Sequence, residues 1–154
     1  TATVQMVKDD KVLFLFDDYI VKRPMNENGS NEGGYEKSDL KKWIENDLFK
    51  MFPKALRKHM TGLTIPTLGE IYGWGDNWDK EHIEPDSDEQ LPLMKQRRNR
   101  VAYYINECSS GWLRNAMKKE FSSAYFAGVY GGGGAASGGA STSRGVRPEF
   151  WLVR

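Results

Sequence analysis

The sequence predicts an α+β fold: a mixed or antiparallel sheet, two helices in the N-terminal half and a long irregular loop region. Strand-like patterning marks both ends of the chain, residues 1–22 (TATVQMVKDDKVLFLFDDYIVK) and residues 145–153 (GVRPEFWLV). Between them Leu40, Trp43, Ile44, Leu48 and Met51 recur at spacings of three and four, the repeat of one helix face. A run of Gly, Ala, Ser and Thr between Tyr130 and Arg144 offers too little apolar surface for a core element and reads as loop. A chain of 154 residues suits one domain, residues 1–154, with a core of ordinary size.

Residues 3–7 are rich in β-formers, residues 8–11 are a polar turn, and residues 12–16 are apolar on both faces, as in a central strand. Together they predict a hairpin at the edge of a sheet. Residues 25–39 read as loop, with Ser38 or Asp39 placed to cap the first helix. Pro53 opens a second short helix, PKALRKHM, where its missing N–H costs little. His59 falls at that helix's end, where the dipole favours a cation. No second His, Ser or Cys stands at a spacing that would make it catalytic. Thr67 precedes Glu70 by three residues, a capping box that opens a further short helix. Val101, Tyr103 and Ile105 alternate, which predicts a strand leading towards the one that contains Trp112. Trp112, Phe126, Val129, Val146, Phe150 and Leu152 are the expected buried positions of the C-terminal part.

The formal net charge of +1 removes any bulk electrostatic case for nucleic acid or an acidic membrane. Lys95, Arg97, Arg98 and Arg100 form a local basic cluster of the type that binds phosphate. The acidic segment before it offers nearer partners, and exposed ion pairs are the favoured reading. Cys108 is the single cysteine, so the domain folds without an internal disulfide and has no Cys-based zinc site. No apolar run approaches membrane-spanning length, and no segment reads as a signal peptide. The chain begins at Thr1 without an initiator Met, so a further N-terminal partner domain is an expectation.

The small-residue run is a loop with anchored ends rather than a tail, because the apolar GVRPEFWLV follows it at once. Its residue types carry a second signal. Residues 121–148 contain no Lys, Glu, Gln, Met or Trp, although 38 residues of those types occur elsewhere. These are the residues that no codon ending in a pyrimidine specifies. Low complexity gives one explanation, since Gly, Ala and Ser tracts lack long side chains. Asn codons, AAC, with their two adenines randomised give the sharper one.

On those residues the segment FAGVYGGGGAASGGASTSRGVRPEFW resembles the variable region of diversity-generating retroelement proteins. In that family adenine-directed mutagenesis rewrites Asn codons between a Phe-x-x-Val start and a Gly-Val-Arg-Pro end. Phe126, Val129, Gly133, Ala135, Ala140, Ser141, Ser143 and residues 145–148 then occupy fixed places. The resemblance makes Gly128, Tyr130, Gly131, Gly132, Gly134, Ala136, Ser137, Gly138, Gly139, Thr142 and Arg144 rewritten positions, within a variable region of about residues 122–144. WLRN at residues 112–115 and RPEFWL at residues 147–152 are similar to phage and bacterial domains of C-type-lectin-like fold. The resemblance implies that the terminal strands pair, so that FWLV lies beside the N-terminal hairpin. It also implies a ligand-binding surface formed by these positions together with Ala124 and Tyr125. The implied ligand is a protein or glycan on a target surface, and the implied location is a virion or cell surface.

The acidic segment, residues 76–89, invites comparison with the same fold family. Glu84-Pro85-Asp86 resembles the Glu-Pro-Asn and Gln-Pro-Asp calcium and sugar motif of animal C-type lectins, and Trp78-Asp79 resembles its Trp-Asn-Asp partner in reversed order. The acidic spacing does not fit an EF-hand loop, so a solvated loop and a calcium site stand side by side.

Enzyme readings are weaker. The glycines at 131 and 133 with Ala136 match a dinucleotide fingerprint in form, but no amphipathic helix with a downstream acid follows. There is no Walker Lys, no Gly-x-Ser-x-Gly elbow and no His/Glu metal pair. Sulfatase-activating enzymes share a related fold, yet one Cys does not support their paired-Cys or copper-Cys chemistry. The acids are numerous enough to hide a carboxylate pair. The expectation is a non-enzymatic, cofactor-free, receptor-recognition domain. The alternative is a carbohydrate-binding or sulfatase-activating-enzyme-like domain of the same fold with an incidental Gly-rich loop.

Overall fold

A computed structural model describes residues 1–75 and 79–154. A hairpin opens the chain, β1 (Ala2–Lys8) and β2 (Lys11–Phe16), and the short strand β3 (Val21–Arg23) follows. The helical layer comes next: α1 (Asp39–Trp43), a π-helical turn at Ile44–Leu48, α2 (Phe49–Met51) and α3 (Lys54–Arg57). Strand β4 (Met60–Thr64) leads to α4 (Leu68–Tyr72), α5 (Asp79–His82) and α6 (Arg97–Arg100). A small pair, β5 (Tyr103–Tyr104) and β6 (Glu107–Cys108), precedes β7 (Gly111–Ala116) and β8 (Tyr125–Val129). The chain closes with β9 (Ala135–Gly139), β10 (Arg144–Val146) and β11 (Glu149–Val153).

Two sheets carry this mixed, mostly β fold. One has four antiparallel strands in the order β1-β2-β11-β4; the other has five in the order β3-β10-β7-β8-β9, with β10 and β7 parallel. β2 is therefore central, and the C-terminal strand pairs with it as expected. GVRPEFWLV, expected as one strand, is two. Pro148 has no N–H to donate and holds Arg147 extended, and there the chain leaves the larger sheet for the smaller one. Two bonds tie the joint to β2: Phe16 N–H donates to the Pro148 carbonyl at 2.9 Å, and Arg147 Nε donates to the Phe16 carbonyl at 2.7 Å.

The alternation of strand side chains splits the core across the larger sheet. Leu113, Ala127 and Val129 face Leu13, Leu15, Leu68 and Ile71, while Trp112, Phe126 and Val146 face Met25, Leu40 and Ile44. Phe150 is buried as expected, but Leu152 is only half-buried, because β11 continues outward beside β4. Where β7 and β10 run parallel, Gly111 and Gly145 leave a slot that the Tyr19 ring fills. A Cβ at either glycine would overlap that ring. Burial there pushes the Tyr19 phenol up to about 12.

Local signals hold at the caps. Ser38 Oγ accepts from Lys41 N–H at 3.0 Å, and Thr67 and Glu70 form both bonds of the capping box. The helical stripe holds for Leu40, Ile44 and Leu48 and fails at Met51, which is 69% exposed. The π-helical turn takes an extra residue, so Phe52 is the side chain that returns to the sheet, packing edge-on to Phe16 and Phe150. The strand expected over Val101, Tyr103 and Ile105 shrinks to Tyr103–Tyr104, because Ile105 sits at the tip of a tight turn with φ 60°. Among the described residues no helix is long and apolar enough to cross a membrane, and Cys108 is free and exposed.

Candidate functional site

The Gly/Ala/Ser run is ordered main chain. β9 pairs with β8 from Tyr125–Gly139 through Val129–Ala135 and forms the edge of the larger sheet. A turn over residues 130–134 joins the two strands: Tyr130 N–H donates to the Gly134 carbonyl at 2.7 Å, and Gly133 N–H donates to the Tyr130 carbonyl at 2.8 Å. Gly133 has φ +87°, a conformation that L side chains rarely adopt. Past β9, Ala140 N–H donates to the Ala124 carbonyl at 2.7 Å, and Thr142 N–H donates to the Gly139 carbonyl at 2.9 Å.

The candidate positions separate by direction. Tyr125 and Tyr130 are 44% and 55% exposed, and Gly132 and Thr142 are also exposed. Ala124, Gly131, Gly134, Ser137, Gly139 and Arg144 are half-buried. Gly128, Ala136 and Gly138 are buried, which corrects the expectation that every rewritten position faces solvent. They share the inner face with Trp112 and Phe126, and a Cβ on Gly128 would stand 2.5 Å from the Gly111 carbonyl oxygen. The exposed positions form two groups rather than one. Tyr130 and Gly132 occupy the turn before β9, whereas Tyr125 and Thr142 meet beside the half-buried Gly139 at its far end, roughly 15 Å away at strand rise.

Residues outside the run hold its backbone. Arg97 Nε donates to the Gly132 carbonyl at 2.8 Å, while Arg100 Nε and Tyr72 Oη donate to the Gly133 carbonyl, each at 3.1 Å. Two members of the basic cluster, Arg97 and Arg100, thus grip loop carbonyls, and among the described residues neither pairs with the acidic neighbours expected as partners. Asn31 anchors the other end, its side-chain amide donating to the carbonyls of Met117, Ser122 and Tyr125 at 3.0–3.2 Å. Sequence reasoning missed Asn31 and Tyr72, since neither carries a local pattern. Replacing Arg97 and Arg100 together by Ala should speed amide exchange at Gly133 by about tenfold or more, because charge-assisted bonds contribute on the order of 1 kcal/mol or more each. Exchange measured by NMR checks this.

Arg144 behaves differently from the other candidates. Its guanidinium lies 5.5 Å from the Trp112 ring centroid, and Nη2 donates to the Ser137 carbonyl at 3.3 Å. A Cβ on Gly138 would collide with that guanidinium. Among the described residues, Arg144 is the one candidate position whose side chain makes a hydrogen bond.

The acidic segment is engaged elsewhere. Asp86 Oδ2 accepts from Gly69 N–H and Asn115 Nδ2, and Oδ1 accepts from Trp74 Nε1 and Asp88 N–H, at 2.8–3.0 Å. Four protein donors use the acceptor sites of this carboxylate, so Asp86 is a structural acceptor in place of the calcium ligand weighed for the Glu84-Pro85-Asp86 motif. Trp78, and with it the Trp78-Asp79 pair, lies outside the described residues. Among those described, no three His, Cys, Asp or Glu side chains gather to hold a metal.

A carboxyl pair does lie hidden in the fold. Arg114 Nη2 donates to Glu70 Oε1 at 3.0 Å and to Glu149 Oε1 at 3.3 Å. Burial, then the neighbouring Glu70 charge, raises the Glu149 carboxyl well above its ordinary range. The folded state therefore holds a proton that the unfolded chain gives up, so stability is full at acid pH and falls as pH rises through the raised Glu149 value. Glu149→Gln should flatten that fall and leave the variant more stable than wild type at alkaline pH, as read from urea midpoints at several pH values.

Comparison with known proteins adds one partial match. Residues 9–84 are similar to a family described as Domain of unknown function (DUF6273). The matched segment ends before β5 and includes none of the candidate display positions. No curated protein and no solved structure matches the chain.

Proposed function

We propose that the chain is a ligand-recognition domain of the diversity-generating retroelement type, with a C-type-lectin-like scaffold that presents the exposed part of segment 122–144. The observation that carries this reading is how the segment is held. Apart from Arg144 Nη2 on the Ser137 carbonyl and Ser122 Oγ, which accepts from Ala124 N–H, its bonds run from main chain to main chain, or from Arg97, Arg100, Tyr72 and Asn31 outside it to its carbonyls. A backbone fixed in that way keeps its course when the side chains it carries change. Paired terminal strands agree with the scaffold, and the pyrimidine-ending codon set agrees with the diversification. The ligand is a protein or glycan on a target surface, and the domain acts on a virion or cell surface by binding rather than by catalysis.

Tyr130 and Tyr125 are the large exposed side chains available as anchors, of the type that dominates interfaces. The test is a displayed library with codons 125, 130, 132, 139 and 142 randomised. Most members should stay protease-resistant, and selection on unrelated target proteins should yield binders. In a binder that retains Tyr130, truncation to Ala should cost roughly 1–3 kcal/mol of affinity. A library that mostly unfolds, or yields no binder, contradicts the proposal.

A further inference from the structure

The groove beside the buried carboxyl pair has a volume of about 650 Å³ and shares no residue with segment 122–144. Glu149 lines it with a side chain only 3% exposed, and its Oε2 meets no N–H or O–H donor among the described residues. Glu70 of α4, Asp88 and Arg114 of β7 surround it. Farther out, Lys41 pairs with Glu36 at 3.5 Å and Glu45 at 2.7 Å, one ammonium shared by two carboxylates. Lys8 of β1 and Glu89 complete the charged lining. The wall includes Trp151, whose ring already attracts the Lys11 ammonium to 4.5 Å from its centroid.

From this geometry we infer that the groove is a second binding site, for a primary ammonium such as that of a lysine side chain or a polyamine, with Glu149 Oε2 as the acceptor that receives it. Glu70 and Glu149 share the Arg114 guanidinium on the groove floor, and Asp88, which accepts from Thr67 Oγ1 at 2.8 Å, also lines the groove. While Glu149 keeps its proton, the floor carries a single net negative charge. An entering ammonium that replaces the proton leaves that net charge unchanged and supplies Oε2 with a donor. A buried carboxylate is tolerated when it is paired in this way and costly when it is not. A metal ion fits less well, because Arg114 stands among the carboxylates and, among the described residues, no three of them converge closely enough to hold one.

Binding must release the Glu149 proton, so affinity should strengthen as pH rises towards the raised Glu149 value and level off above it. The experiment is calorimetric titration of the full chain with Nα-acetyl-lysine methylamide, with putrescine, and with the same lysine compound acetylated at Nζ, in buffers of different ionisation heat. Expected are saturable binding by at least one amine, a buffer-dependent heat that reports proton release, and at least tenfold weaker binding of the acetylated compound. Whichever amine binds more tightly identifies the source of the ammonium. Glu149→Gln, isosteric and uncharged, should weaken the amine at least tenfold and abolish proton release. If that variant fails to fold, proton release and the acetylated control in the wild type decide alone. No saturable binding by either amine, no proton release, or equal binding of the acetylated compound overturns the inference.

Discussion

Phe126→Ala is expected to lose about 3–5 kcal/mol of folding stability, the range for emptying a buried aromatic site. Phe126 is fully buried on β8 and meets Trp112 edge-on, with ring centroids 6.3 Å apart and planes at 78°. Met25, Leu40 and Ile44 close the same cluster from the loop, α1 and the π-helical turn. Those neighbours belong to three separate parts of the chain, so collapse into the vacated volume would disturb all of them. The loss should appear in the urea midpoint with an unchanged slope. Stability unaffected by the substitution would mean that Phe126 is not the inner anchor of the variable segment.

Gly128→Asn is expected to destabilise by about 1–3 kcal/mol or more, while Gly132→Asn stays within roughly 0.5 kcal/mol. The two glycines are alike in sequence and differ in surroundings. A Cβ at 128 stands 2.5 Å from the Gly111 carbonyl oxygen, which belongs to the neighbouring strand's backbone and cannot swing away. A Cβ at 132 comes no nearer than 3.9 Å to the tip of Arg97, a flexible side chain. Gly138 lies between these cases, since a side chain there displaces the Arg144 guanidinium rather than backbone. Thermal midpoints of the three variants rank the positions. Equal tolerance at 128 and 132 would contradict the division into inner floor and outer display.

The sequence made some of this legible and concealed the rest for physical reasons. Caps at Ser38 and Thr67 were readable because they depend on residues within one helical turn. Burial of Trp112 and Phe126 was legible from their apolar character, whereas pairing of the terminal strands was implied by the family resemblance and not by any local pattern. Met51 was misplaced because a π-helical turn changes the residue count without any local signature. The break at Arg147-Pro148 was signalled by the proline, but the apolar residues around it masked a change of sheet. Burial of Gly128, Ala136 and Gly138 depends on register against β7 and β8, which small side chains do not encode. The Glu70–Arg114–Glu149 cluster joins residues from α4, β7 and β11, so no spacing rule could find it.

Everything proposed for segment 122–144 rests on its being rewritten from an AAC-bearing template. The most direct measurement is the nucleotide sequence of that segment and of the DNA around its gene. A nearby near-repeat should align with codons 122–144, with AAC at the template positions of Tyr130, Gly132 and Thr142 and mismatches confined to template adenines. Absence of any repeat, or mismatches scattered over all four bases, would contradict diversification and leave the Gly-rich turn as an incidental feature of the fold.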